Sequence, residues 1–170
     1  MKLSDHYTVI GVTGHTSGIG KAIHDRFIGS IGFSKSNGYG IKFESEAILD
    51  ALEDYHVFIN NAYDGFSQVN LLYEFVQRYP DKKIINISSN SSDGNKNKIH
   101  PYAIHKAALD KASEQLFYLG YNVTNLKLGW VDTPRTEHKD VDKMNPEYVA
   151  EVVYWIVQQP HRIKELTITP

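Results

Sequence analysis

Short β-branched runs alternate along this chain with stretches of helical periodicity, and that alternation limits the possible folds more than any other feature. Strand-like runs occur at 6–13 (HYTVIGVT), 30–34 (SIGFS), 39–43, 56–61 (HVFINN), 83–88 (KIINIS), 123–128 and 165–169. Helical patterns fall between most of them, at 18–28, 46–55, 69–79, 102–119 and 146–158. Strands separated by helices pair in parallel, because a long crossover returns the chain to the same end of the sheet. The expected fold class is α/β, a single doubly wound parallel sheet of about seven strands with helices on both faces. No linker composition interrupts the pattern, so residues 1–170 are expected to form one domain.

Local punctuation supports these boundaries. Pro80 stops the 69–79 helix, and the last helix opens on Asn145-Pro146-Glu147, with Asn145 as N-cap and Pro146 in the first helical position. The polar stretch 89–98 reads as an exposed loop.

Composition narrows the function. Charged residues make up 22% and the formal net charge is −2, with no Lys/Arg-rich block, so nothing recruits nucleic acid electrostatically. Cys is absent, which excludes thiolate catalysis, disulfides and Cys-based zinc sites. The eight His are scattered, without helical His pairs or carboxylate neighbours at ligand spacing, and no metal site is expected. Apolar runs are shorter than the ~20 residues that span a bilayer, and no signal-peptide pattern opens the chain. The expectation is a cytoplasmic protein with no membrane and no nucleic-acid partner.

Between the first strand and first helix lies Thr13-Gly14-His15-Thr16-Ser17-Gly18-Ile19-Gly20. A glycine-rich loop in that context is the dinucleotide fingerprint of Rossmann-type sheets. Gly14 permits a tight turn, Gly18 lets backbone approach a pyrophosphate, and Gly20 lets helix pack near strand. The helix N-terminus offers free N–H groups to the phosphates.

Further along stand Asn60-Asn61-Ala62-Tyr63, Ser88-Ser89, Tyr102-Ala103-Ile104-His105-Lys106 and Leu128-Gly129-Trp130-Val131-Asp132-Thr133. A Tyr-x-x-x-Lys pair means little alone, since Tyr occurs 11 times and about one such pair is expected by chance. A second pair, Tyr79 and Lys83, is interrupted by Pro80, so those side chains need not share a face. Tyr102 and Lys106 sit one turn apart on a helix and project from the same side.

In order and spacing these motifs resemble the classical short-chain dehydrogenase/reductase family over essentially the whole chain, as an unusually short member. Ser89 lies 13 residues before Tyr102, the family's usual separation. The resemblance implies an NADP(H)-dependent oxidoreductase that moves a hydride between nicotinamide and a small carbonyl or alcohol. It implies Tyr102 as general acid in reduction and base in oxidation, Lys106 as its tuner and a ribose contact, and Ser89 as donor to the substrate oxygen. Asn70, in Val69-Asn70-Leu71, takes the place of the family's relay asparagine. The cofactor-binding set it implies is Gly14, Thr16, Ser17, Gly18, Ile19, Gly20, Ser34, Lys35, Asn60, Ala62, Lys106, Gly129, Val131 and Thr133.

Chemistry agrees with these types. Free Tyr has a pKa of about 10, and a neighbouring ammonium is expected to lower it towards neutrality. A donor at the substrate oxygen stabilises the charge that develops as hydride arrives. Ser34-Lys35-Ser36 ends the second strand without a carboxylate, so Lys35 is the basic residue expected to receive a 2′-phosphate, favouring NADP over NAD.

The chain departs from the family in several places. Tyr63 replaces the glycine of Asn-Asn-Ala-Gly, Leu128 replaces the proline before Gly129, the third-strand region is compressed, and the lid segment after Thr133 is short. Apolar positions on 69–79 and 102–118 suggest a homodimer, or a homotetramer, through a four-helix contact. The alternative function is a non-catalytic NADP(H)-binding regulator or redox sensor on the same fold.

Overall fold

The computed structural model describes residues 8–94 and 97–170. Six strands form one parallel sheet: β1 (Ile10–Thr13), β2 (Ile31–Phe33), β3 (Val57–Asn60), β4 (Lys83–Ser89), β5 (Val123–Leu128) and β6 (Glu165–Ile168). Their order is β2-β1-β3-β4-β5-β6. Five helices connect them: α1 (Gly18–Arg26), α2 (Ser45–Ala51), α3 (Ser67–Arg78), α4 (Pro101–Tyr118) and α5 (Pro146–Gln158). The expected doubly wound α/β architecture is the one observed.

Two apolar layers sandwich the sheet. On one side Ile23 of α1 and Val149, Val153 and Ile156 of α5 pack over Ile10, Val12, Ile59 and Leu126. On the other, Ile48 of α2, Leu71, Leu72 and Phe75 of α3 and Leu109 of α4 cover Phe33, Phe58 and Ile84. Each fully buried Val, Leu, Ile or Phe contributes about 1.5–3 kcal/mol relative to exposure. The central strands β1 and β3 are buried at every position, which is why they read as continuous apolar runs rather than alternating ones.

The sheet has six strands rather than about seven because 39–43 is a turn. Both Phe43 N–H and Glu44 N–H donate to the Gly40 carbonyl. Only five residues separate Phe33 from Tyr39, far short of the dozen or more that a parallel crossover needs. The apolar signal there comes from Ile41, which is buried in the α2–α4 layer. The start of the 6–13 run falls partly outside the described residues, and β1 begins at Ile10. Asn145 caps α5 as expected, its side chain accepting from Glu147 N–H at 2.9 Å.

Strand order reverses direction at β1, with β2 on one side and β3 on the other. Ligands in open α/β sheets bind outside the carboxyl ends of strands at such a switch point. The glycine loop and the ends of β2, β3, β4 and β5 all open there.

Candidate active site

The glycine loop is built by close approach. Gly14 and Gly18 adopt φ of +73° and +55°, the left-handed region that favours glycine. A Cβ at Gly20 would lie 2.1 Å from the Gly14 carbonyl oxygen and 2.6 Å from Asn61 Nδ2. Asn61 Nδ2 donates to Thr13 O at 2.9 Å, while the Thr13 hydroxyl accepts from Asn61 N–H and Ala62 N–H, each at 3.0 Å. These bonds clamp the end of β3 against the end of β1 beneath the loop.

The α1 N-terminus above it carries no acidic residue in its first turn, and among the described residues Ser17 makes no side-chain cap. Thr16 and Ser17 are exposed, and Ile19 packs partly against the core. Thr133 closes the other side, with its methyl 3.1 Å from where a Gly18 Cβ would stand. A cradle lined by Gly14, Gly18, Gly20 and Thr133, with free helix N–H groups, suits a pyrophosphate.

At the end of β2, Ser34 N-caps a short 3₁₀ turn and Lys35 follows, largely exposed. Gly129 N–H donates to Ile168 O at 2.8 Å, and Thr169 and Pro170 lie within about contact distance of its α-carbon face. Val131 is buried and bridges to Met144 in parallel. Its side chain belongs to the core, and its carbonyl accepts from the Thr136 hydroxyl at 2.5 Å.

Two expected residues are placed elsewhere. Asn60 is fully buried and turns away from the glycine loop, donating to Gln68 O and Asn86 Oδ1, each at 2.9 Å. Consecutive residues of a strand face opposite sides, so Asn61 rather than Asn60 meets the loop. Asn70 is exposed on α3. Gln68, two residues earlier and about 200° around the helix, faces the sheet instead.

Gln68 is 2% exposed and its amide is used at both ends. Nε2 donates to Asn60 O at 2.7 Å and Ile87 O at 3.1 Å, and Oε1 accepts from Lys106 Nζ at 2.8 Å. Lys106 donates a second bond to Ile87 O, also at 2.8 Å. Asn86 Nδ2 continues the network to the Ser113 hydroxyl at 3.0 Å. A polar chain thus runs from the lysine through Gln68, Asn60 and Asn86 to Ser113, deep between α3, α4 and the sheet.

Tyr102 and Lys106 share one face of α4, and Nζ lies 5.5 Å from the Tyr102 ring centroid. Burial pushes the Lys106 ammonium down from 10.5 to about 7, helped by the Arg135 charge and opposed by Asp110. The Tyr102 hydroxyl is also shifted, but upwards: burial dominates, while Ser89 and Arg135 pull it back. The expected lowering of the phenol by Lys106 is absent because Lys106, depressed to about 7, is neutral over the range in which a phenol titrates. Tyr102 is therefore a protonated group at neutral pH, the state a proton donor requires.

Ser89 is held by its neighbours. Its Oγ accepts from Ser91 N–H at 3.2 Å and lies 2.8 Å from Ser91 Oγ. Asp110, one turn beyond Lys106, accepts from Ser88 Oγ and Ser92 Oγ, each at 2.5 Å, and from Asn125 Nδ2 at 2.9 Å. Lys127 pairs with the same carboxylate at 3.2 Å. Asp110 thereby ties α4 to β4 and β5 on both sides of Ser89.

Tyr63 takes the space that glycine would leave open. Its ring meets Tyr102 edge-on at 4.9 Å, and its hydroxyl hydrogen-bonds His105 Nδ1 at 2.8 Å. The other Tyr/Lys pair is separated by the sheet: Tyr79 donates to Leu49 O at 2.7 Å, and Lys83 to Ile156 O at 3.0 Å in α5.

No protein-family model and no curated protein sequence matches the chain. Solved structures match closely in shape. A short-chain dehydrogenase from Burkholderia cenocepacia in complex with NADP gives a TM-score of 0.79 at 16% identity, covering 95% of this chain and 88% of that one. The closed form of a serine dehydrogenase complexed with NADP+ gives 0.76 at 17%, covering 94% of each. An alcohol dehydrogenase from the archaeon Thermococcus sibiricus, complexed with 5-hydroxy-NADP, gives 0.71 at 18%, covering 95% of each.

The fold is that of the short-chain dehydrogenases. Within the short-chain dehydrogenase fold this chain brings Ser89, Tyr102 and Lys106 to one end of the sheet beside the glycine loop. Asn61 belongs to the Asn-Asn-Ala motif, whereas Gln68, Asp110 and Arg135 complete the surroundings from outside the motif pattern. Asp110 had a signal, being one helical turn after Lys106 on the same face. Gln68 stands next to the Val-Asn-Leu motif, and only the rotation of α3 distinguishes it from Asn70.

Among the described residues no helix is long and apolar enough to cross a membrane, and no group of three or more His, Asp or Glu is placed to hold a metal ion.

Proposed function

We propose that the protein is an NADP(H)-dependent oxidoreductase acting on a small carbonyl or alcohol, with Ser89, Tyr102 and Lys106 as its catalytic residues. The observation that carries this reading is the convergence of a protonated, half-buried Tyr102 with Ser89 and Lys106 beside a glycine cradle suited to a dinucleotide. NADP-bound or NADPH-bound neighbours of the same fold support the choice of cofactor.

Gly14, Gly18, Gly20 and the α1 N-terminus would hold the pyrophosphate, with Thr133 closing over it, and Ser34 and Lys35 would face the 2′-phosphate. When bound, the nicotinamide supplies the hydride. Ser89 and Tyr102 then hold the substrate oxygen. Tyr102 donates its proton to that oxygen as it gains negative charge, and Lys106, fixed by Gln68 and Ile87 O, supports the phenolate left behind.

A homodimer or homotetramer through the outer faces of α3 and α4 accompanies this reading. It is supported by half-exposed Tyr73 and exposed Tyr118 flanking a shallow groove between the helices. Light scattering at micromolar concentration checks it, with a monomer as the contrary result.

The activity is tested by following NADPH oxidation against a panel of ketones, aldehydes and sugars, alongside fluorescence titration with NADPH and NADH. Turnover on at least one carbonyl is expected, with NADPH bound at least about tenfold more tightly. NADPH binding without turnover on any carbonyl would favour the non-catalytic sensor, for which Tyr63 packed against Tyr102 is the structural argument.

A further inference from the structure

Lys35 and Asp64 come from opposite sides of β1. Lys35 follows β2 and Asp64 follows β3, the two strands that flank β1 in the sheet. Their side chains nevertheless meet, with Lys35 Nζ donating to Asp64 Oδ2 at 2.9 Å. The ion pair therefore spans the carboxyl end of β1, over the mouth of the crevice that the glycine loop floors.

The pair is held in place on the lysine side. The Lys35 stem lies along Gly40, where an added Cβ would stand 3.2 Å from Lys35 Cγ and 2.8 Å from Glu44 Oε2. Any larger residue at position 40 would press on the stem. On the acid side, Asp64 is mostly covered, and the Lys35 hydrogen bond, with the charges of Lys35 and Lys42, holds its carboxyl below the ordinary range. The mouth thus carries the cations of Lys35 and Lys42 with the carboxylate of Asp64 paired to Lys35, and the Glu44 carboxylate lies by the Lys35 stem.

We propose that the Lys35–Asp64 pair is a strap across the adenosine end of the crevice, and that Asp64 sets cofactor selectivity by competing with a ligand's 2′-phosphate for Lys35. This rests on the dinucleotide reading above and adds a specificity-determining residue at the end of β3. A dinucleotide with a 2′-phosphate exchanges one anion for another at Lys35, and it also brings that phosphate towards the displaced Asp64. A dinucleotide with a free 2′-hydroxyl gains no such partner. Asp64 therefore weakens 2′-phosphate binding without a matching effect on the unphosphorylated form.

The test uses calorimetric titration of the full chain with adenosine 2′,5′-bisphosphate and with ADP, in the wild type, Asp64→Asn, Lys35→Ala and the double variant. Asp64→Asn is expected to tighten the bisphosphate by roughly threefold to fivefold, the scale of an exposed ion pair, and to leave ADP within about twofold. Because the effect passes through Lys35, the gain is expected to disappear in the Lys35→Ala background. An unchanged bisphosphate-to-ADP ratio in Asp64→Asn would overturn the proposal, as would a full gain without Lys35, or no binding of either nucleotide to any of the four proteins. Failure of the redox reading is separate: it shows as no NADPH-dependent reduction by the wild type while the nucleotide results stand.

Discussion

Gln68 Oε1 accepts a 2.8 Å hydrogen bond from Lys106 Nζ, and both side chains are almost completely buried. A buried ammonium without a carboxylate in contact survives only if its donors are used. Gln68 and the Ile87 carbonyl use two of the three, and the same Ile87 carbonyl accepts from Gln68 as well. The amide is needed in that orientation, with its oxygen towards the lysine and its nitrogen towards two carbonyls.

Gln68→Ala is accordingly expected to cost about 1–3 kcal/mol in urea denaturation, the scale of a buried group left without its partner. Gln68→Glu is expected to be no rescue, because it sets a carboxylate oxygen against the Asn60 and Ile87 carbonyls. Asn70→Ala, at an exposed position, is expected to stay within about 0.5 kcal/mol of the wild type. Wild-type stability in Gln68→Glu would contradict this arrangement.

The depressed Lys106 pKa carries a pH signature. The native protein releases this proton near pH 7, whereas the unfolded chain holds it up to about 10.5. Between those values the unfolded state binds more protons, so stability rises with pH. Relative to Lys106→Met, the wild type is expected to gain on the order of 2 kcal/mol between pH 7 and pH 9. Parallel pH profiles for the two proteins would show that Lys106 stays charged in the fold.

Gly20→Ala tests the cradle. A methyl group there would stand 2.1 Å from the Gly14 carbonyl oxygen, so α1 must move away from β1. Overpacking of this kind costs about 1–3 kcal/mol, or a melting-point drop of roughly 2–10 °C at this chain length. NADPH affinity is expected to fall at least tenfold by fluorescence titration, and an unaltered affinity would show that the loop does not hold phosphate.

Much of the fold was legible because it rests on local signals. The parallel strands read as β-branched runs, Asn145-Pro146 marked the start of α5, and Pro80 marked the end of α3. The strand expected at 39–43 failed on a global constraint, the length of chain needed to cross over, which periodicity does not contain. In the site, the shared face of Tyr102 and Lys106 was readable from helix geometry, whereas Ser89 entered only through the spacing of the short-chain dehydrogenase/reductase resemblance. Gln68 and Asp110 act through contacts between elements, and Asn60 and Asn61 divide their tasks by the strand's alternation, which a motif of identical residues hides. The direction of the Tyr102 shift was not readable either, because it depends on the burial of Tyr102 and on the burial that leaves Lys106 neutral where a phenol titrates.

The most direct measurement is the turnover of Tyr102→Phe. With NADPH carrying deuterium at the transferring position, the wild type is expected to place the label on the alcohol product of at least one carbonyl, followed by mass spectrometry. Tyr102→Phe is expected to bind NADPH within about twofold of the wild type and to transfer label at least about a hundredfold more slowly. Equal rates of label transfer in the two proteins, or bound NADPH with no transfer to any carbonyl, would contradict catalysis at this site.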